Sequence, residues 1–292
     1  MSSVSSLQSL VLRASPPSAG PSRSVAARLG QEAVRIAQGG VYRAPSGKEV
    51  SVAEAVARAV EGTRELPPTA SLPAARARGS APRVHVLNGT SLEAARALVD
   101  AGVSPCVLNF ASAKNPGGGF LGGAIAQEEV LARSSALHAC LEGRAMYAHH
   151  RAQRSPLYTS WVIHSPNVPV FRTDGGELLE EPYLASFLTA AAVNAGVARE
   201  RGADVAGASA GAMRERTARV LAVAEAMGER ALVLGAWGCG VFRNDPEMVA
   251  GHFDEVLAEM RGAFDVVVFA VLDTSAERRN YAPFARRFAG VT

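Results

Sequence analysis

The chain has 292 residues, 48% hydrophobic and 20% charged, enough for one large domain or one and a half with a substantial core. No apolar run reaches the ~18–20 residues of a membrane-spanning helix, so no membrane partner is expected. The net charge is +3, with only Lys48 and Lys114 as lysines among 30 basic residues, and no dense basic run with interleaved aromatics marks a sequence-reading nucleic-acid module.

Residues 1–24 are rich in Ser and Pro without periodicity and are expected to form a flexible tail. From Val25 the pattern turns helical, with Leu29, Ala33 and Ile36 on one face and Gly39-Gly40 as the stop. Ser51 and Glu54 have capping-box spacing for a second helix bearing Val52, Val56 and Val60. Leu66-Pro67-Pro68 through Gly79 reads as a linker. Residues 25–80 are therefore expected to be a helical extension and linker ahead of a main domain over 81–292.

In the main domain, β-rich apolar runs alternate with helical stretches. The predicted strands are 84–87, 106–110, 161–164, 232–234 and 266–272. The predicted helices are 91–101, 128–141, 184–199, 214–227 and 246–260, with Thr90 and Glu93 as a capping box and Gly102 as a stop. Several strands are continuous hydrophobic runs, which suits strands covered on both faces. The alternation predicts an α/β fold, a three-layer α/β/α sandwich around a mixed, largely parallel sheet.

The most informative stretch runs from Asn115 to Glu129, between a predicted strand and a predicted helix. Gly117, Gly118, Gly119, Gly122 and Gly123 fall within seven residues, and their missing side chains allow backbone N–H groups to approach a diphosphate. No Gly-Lys-Ser/Thr follows, so this is not a Walker A loop, and the Gln127-Glu128-Glu129 insert departs from the dinucleotide fingerprint. Carboxylates beside a phosphate site are electrostatically costly, so their presence needs a chemical reason. Consecutive helical residues point about 100° apart, so Glu128 and Glu129 are not expected to face one atom. One would bind ribose hydroxyls and the other reach the scissile bond.

A second loop, Gly235 to Asp245, again links a predicted strand to a helix opening at Asp245-Pro246. Two such loops converge beyond the carboxyl ends of neighbouring strands in an open α/β sheet. Phe242 is either a core aromatic or a residue that packs against a ribose, and Arg243 would pair with a phosphate or with Asp245. Asn88 is a candidate for adenine contact.

Other residues read as structural. Cys106, Cys140 and Cys239 lack metal-ligand spacing and suit buried, reduced thiols of a cytoplasmic protein, with no signal-peptide core at the N-terminus. No metal and no cofactor are expected. His149-His150 reads as an exposed polar pair, His164 as a structural strand end, and Glu180-Glu181 as solvated charge at a helix start. Ser209 in Gly207–Gly211 looks superficially like a nucleophile elbow, but no strand precedes it, so a loop is expected.

Gly117–Gly119, seven residues (120–126) and then Gln127-Glu128-Glu129 resemble the signature of the bacterial-type poly(ADP-ribose) glycohydrolases, a macrodomain family. Leu108–Ala113, Ser165-Pro166, Val168–Arg172 and Gly235–Pro246 resemble it as well, from about Val25 to the C-terminus. The resemblance implies a macrodomain-like ADP-ribose site with Glu129 as catalytic acid and Glu128 holding the leaving ribose. It also implies that Asn115 holds the terminal ribose. Gly117, Gly118, Gly119, Gln127, Gly238, Cys239, Gly240, Val241 and Phe242 would complete the ligand site. The implied partners are ADP-ribose, poly(ADP-ribose) or ADP-ribosylated protein, with ADP-ribosylated nucleic acid as a further candidate. Chain-end cleavage is implied to dominate. A mono-ADP-ribosyl hydrolase is the alternative enzyme, and a reader without catalysis the other class.

Overall fold

The computed structural model describes residues 20–73 and 79–289. Most of the expected tail and residues 74–78 of the expected linker lie outside those residues.

Helix α1 (Arg23–Gly39) starts where the Ser22 hydroxyl accepts the Val25 N–H, buries the expected Leu29, Ala33 and Ile36, and ends at Gly40 with φ 69°. The Ser51 capping box does not form. Ser51 instead ends β2 (Glu49–Ser51), which pairs antiparallel with β1 (Val41–Arg43), and α2 (Ala53–Gly62) begins at Val52 without a side-chain cap. Strands of three residues carry too few positions for alternation to show in sequence. Another short strand, β3 (Arg64–Leu66), lies antiparallel to β6 (Val162–Arg172) and forms one edge of the main sheet. Residues before the linker thus supply part of the sheet.

The remaining strands are β4 (Arg83–Leu87), β5 (Pro105–Phe110), β7 (Leu178–Ala190), β8 (Ala231–Leu234) and β9 (Val266–Ala270). The sheet order is β3-β6-β7-β5-β8-β9-β4, parallel from β7 to β4 and antiparallel at β3 and β6. Alternate residues face two cores. Val107 and Val268 pack with α1, α2 and α3 (Ser91–Asp100) on one side. Leu108 and Phe269 pack on the other side with α8 (Ala203–Ala226), α9 (Pro246–Glu259) and α10 (Tyr281–Arg287). The expected three layers are present. The Thr90–Glu93 capping box on α3 forms in full.

Three expected elements are corrected. The helix expected over 184–199 is the end of β7, a short loop and α7 (Ala195–Glu200). Residues 185–193 are all buried, so this run shows neither a period of two nor one of 3.6. The helix expected over 128–141 breaks at Ser135, which is extended and bridges Val170, leaving α4 (Gln127–Ser134) and α5 (Leu137–Leu141). Ser209 lies inside α8, its hydroxyl donating to the Val205 carbonyl, so it is neither elbow nor loop.

Candidate active site

The chain leaves β5 for α4 on one face of the sheet, and leaves the adjacent β8 for α9 on the other. This divergence is the switch point where open α/β sheets bind ligands. A cleft of about 490 Å³ lies there, within the range of small-molecule sites. Gly89–Leu92, Phe110–Ser112, Ile125–Leu131, Asp174, Gly238, Gly240–Phe242, Ala270–Leu272 and Asn280 line most of it.

The glycine loop is a clamped turn. Gly117 and Gly118 have φ of 72° and 61°, and Gly123 has φ 82°, a backbone region that other residues enter with strain. The Gly118, Phe120, Gly122, Gly123 and Ala124 amides donate to carbonyls within the loop. Phe120, buried, anchors it against His138 at 4.9 Å between ring centroids. Helix α1 holds it from outside, because Gly30 lets the Phe120 carbonyl approach and the Arg23 Nε donates to the Gly122 carbonyl at 3.1 Å. The N-terminal helix therefore positions the glycine loop, a role with no signal in its sequence.

Glu128 and Glu129 are both buried, 3% and 8% exposed. Glu128 Oε2 accepts the Ser112 N–H at 2.6 Å, and Glu129 Oε1 accepts the Gly119 N–H at 2.9 Å. The expectation that they diverge is corrected. A Cβ built on Gly118 would overlap Glu129 Oε1 and come within 2.9 Å of Glu128 Oε2, so both carboxyls converge on that glycine. Long side chains on the first turn bend back to bonds that the loop offers.

Burial pushes the Glu128 carboxyl up from 4.5 to about 8, with the Glu129 charge adding to the effect and the Ser112 amide opposing it. The Asn109 side chain and the Gly117 amide also favour the carboxylate, so burial outweighs every hydrogen bond offered to the charged form. The folded state therefore binds this proton more tightly than the unfolded chain. Its stabilising contribution is complete below pH 4.5 and is lost as the pH rises through about 8. Glu128→Gln is expected to flatten the fall in unfolding free energy across that window, measured by denaturant titration. An unchanged slope would show that Glu128 does not hold the proton.

The other expected site residues divide. Gln127 lines the cleft, but its side chain is spent on the Phe110 amide, the Ser91 hydroxyl and the Leu108 carbonyl. Asn115 is exposed beside the cleft, and Gly117–Gly119 shape the loop behind its lining. Gly238, φ 75°, leaves space filled by Asn244 Nδ2 and the Ala192 methyl, and lines the cleft with Gly240, Val241 and Phe242. Val241 is 84% exposed. Cys239 is not part of the lining, and burial pushes its thiol up to about 12.

Two sets of amides suit a diphosphate. Helix α4 has no side-chain cap, and its opening residues line the cleft. The amides of Gly240, Val241 and Phe242 make no hydrogen bond among the described residues, and these residues line the same cleft.

Asn88 exchanges two hydrogen bonds with the backbone of Asp273. His150, expected to be exposed, is fully buried and joins the Ala113 carbonyl to the Thr159 hydroxyl. Cys106, His164 and Glu229 place their ligand atoms within 4.8 Å of one another, a proximity hidden by their separation in sequence. His164 Nε2 and Glu229 Oε1 share a hydrogen bond of 2.7 Å, and none of the three lines the cleft. No described helix is long and apolar enough to cross a membrane.

Residues 30–173 match the family model described as microbial-type PARG, catalytic domain. The chain is 46% identical to a poly(ADP-ribose) glycohydrolase from Thermomonospora curvata over 90% of this chain and 99% of that one, with a TM-score of 0.85. The same enzyme bound to the inhibitor ADP-HPD superposes with a TM-score of 0.83, at 46% identity and the same coverage. The poly(ADP-ribose) glycohydrolase from Deinococcus radiodurans in complex with ADP-ribose is 40% identical over 83% of this chain and 100% of that one, with a TM-score of 0.75. Among the curated proteins no match is found.

Proposed function

The chain belongs to the microbial-type poly(ADP-ribose) glycohydrolase family, and from that premise we propose how its cleft works. It binds ADP-ribose and cleaves the C1″ glycosidic bond of poly(ADP-ribose). The observation that carries the mechanism is the convergence of two buried carboxyls on Gly118, beside a cleft lined by unbonded amides.

In this proposal the α4 N-terminus and the Gly240–Phe242 amides hold the diphosphate. Phe242 packs against the ribose next to the scissile bond, Asn115 reaches a ribose hydroxyl from the rim, and Glu128 holds the leaving ribose. Glu129 donates a proton to the glycosidic oxygen as the C1″–O bond breaks. The diphosphate's negative charge stabilises the oxocarbenium-like ribose. Glu129, now a carboxylate, takes a proton from the water that attacks C1″, which restores the acid. Bound diphosphate adds negative charge near Glu128 and further favours its protonated form. No step draws on a metal.

ADP-ribosylated protein and ADP-ribosylated nucleic acid are further proposed substrates, because only the group beyond C1″ differs. Residues 81–292 are proposed as the catalytic domain, with 25–80 as an extension that braces its loop. Free Cys106 and Cys140, both buried, suit a reducing cytoplasm.

The test is ADP-ribose release in EDTA from poly(ADP-ribose), ADP-ribosylated protein and ADP-ribosylated DNA. Release from the polymer is the expected result. Tight ADP-ribose binding with no release from any of the three would leave a reader and refute the chemistry.

A further inference from the structure

Six exposed cations form a continuous arc from one cleft loop to the other: Lys114, Arg151, Arg154, Arg201, Arg199 and Arg243. Arg151 Nη1 donates to the Lys114 carbonyl at 2.5 Å. Arg154 follows three residues later, and its carbonyl accepts from the Arg201 guanidinium. Arg199, on the same helix end, donates to the Arg243 carbonyl at 3.0 Å. Each contact fixes one cation against the backbone of the next.

The arc's ends are set by the catalytic loops. Lys114 lies two residues from Ser112, whose amide holds Glu128, and Arg243 follows Phe242 of the cleft lining. Arg243 has φ 55°, and its side chain lies against α7 in space that a Cβ at Gly196 would crowd. Inside the arc, Tyr158, at φ 54°, bridges His150 and Phe242 with centroid distances of 5.5 and 6.1 Å. Among the described residues none of the six has a carboxylate within ion-pair distance, although Glu200 and Asp245 share their segments. Elsewhere Arg96, Arg214, Arg230, Arg286 and Arg287 are each paired with an acid.

Like charges held together without counter-charge raise the free protein's energy and attract a polyanion. The two carboxyls mark the scissile end of the cleft, and the arc starts at Lys114, two residues from the Ser112 amide that holds Glu128. We propose that the arc is a docking track for the phosphates of the polymer beyond the scissile bond, the part that stays behind when ADP-ribose leaves. This rests on the glycohydrolase reading and adds a second substrate contact to it. Guanidinium groups already anchored to carbonyls need little further ordering to meet a diphosphate.

The test compares wild type with the triple variant Arg154→Gln/Arg199→Gln/Arg201→Gln at 50 and 200 mM salt. The substrates are long poly(ADP-ribose) and a mono-ADP-ribosylated peptide. Neutralising several phosphate contacts makes binding steeply salt-dependent, so wild-type kcat/KM on the polymer is expected to fall ~10-fold between the two salts. At low salt the variant should already sit at the lower value, with ADP-ribose affinity unchanged. The corresponding Arg→Lys triple should keep most of the polymer rate, which separates charge from folding. Polymer binding by Glu129→Gln, with and without the triple change, gives a readout that needs no turnover. An inactive wild type would therefore count against the glycohydrolase reading and not against the track. Equal polymer binding and equal low-salt rates for wild type and triple variant would overturn the track. So would a variant that loses only inhibition by single-stranded DNA, which would assign the arc to nucleic acid.

Discussion

Glu129→Gln is expected to lower ADP-ribose release ~10²–10⁴-fold, the contribution of a positioned general acid, with ADP-ribose binding nearly unchanged. The substitution is close to isosteric. The glutamine carbonyl can still accept the Gly119 N–H that Glu129 Oε1 accepts at 2.9 Å, so the loop should stay closed. What disappears is a carboxyl able to donate an acidic proton. The measurement is single-turnover release from poly(ADP-ribose), paired with calorimetric binding of ADP-ribose. Turnover within a few-fold of wild type would remove Glu129 from the proton-donor role. It would direct attention to Glu128, whose carboxyl burial pushes up to about 8. Loss of binding together with loss of turnover would instead mean that Glu129 shapes the pocket.

Gly118→Ala is expected to cost about as much activity through geometry alone. At φ 61° the alanine would be held in the left-handed region, a strain of roughly 1–2 kcal/mol for a residue with a Cβ. Its methyl would also occupy the space where Glu129 Oε1 now lies, 2.9 Å from Glu128 Oε2. Both carboxyls must move, and a displacement near 1 Å can cost ~10²-fold in rate. Gly122→Ala is the matched control. Its Cβ would meet nothing within 4 Å and its φ lies outside the left-handed region, so it should be nearly silent in activity. Comparable rates for Gly118→Ala and wild type would show that the convergence on Gly118 is not needed for catalysis.

Much of the chemistry is local and therefore readable. Gly117–Gly119, the spacing to Glu128-Glu129 and the Gly235–Asp245 loop lie on two short segments, each between a strand and a helix. The capping box at Thr90–Glu93, the Gly40 stop and the continuous apolar runs of β5, β8 and β9 depend on neighbours a few residues away. Period and capping chemistry suffice for those. They fail at β7, where burial on both faces erases the alternation, and at Ser135, where a bridge to Val170 breaks a run of helical pattern.

By itself, then, the sequence determined the layered α/β class, the two glycine loops and the pair of glutamates. All are written in residue types at short spacing. Tertiary structure alone decided how those parts are aimed. It turned both carboxyls onto Gly118, where bonds from the Ser112 and Gly119 amides outweigh the angular separation of consecutive helical residues. It set α1 against the glycine loop through Gly30 on Phe120 and Arg23 on Gly122, the latter 99 residues apart in the chain. It also gathered six cations from four separate segments into one arc. Such long-range contacts form only when the whole core closes, because their geometry depends on packing that no short stretch of chain contains.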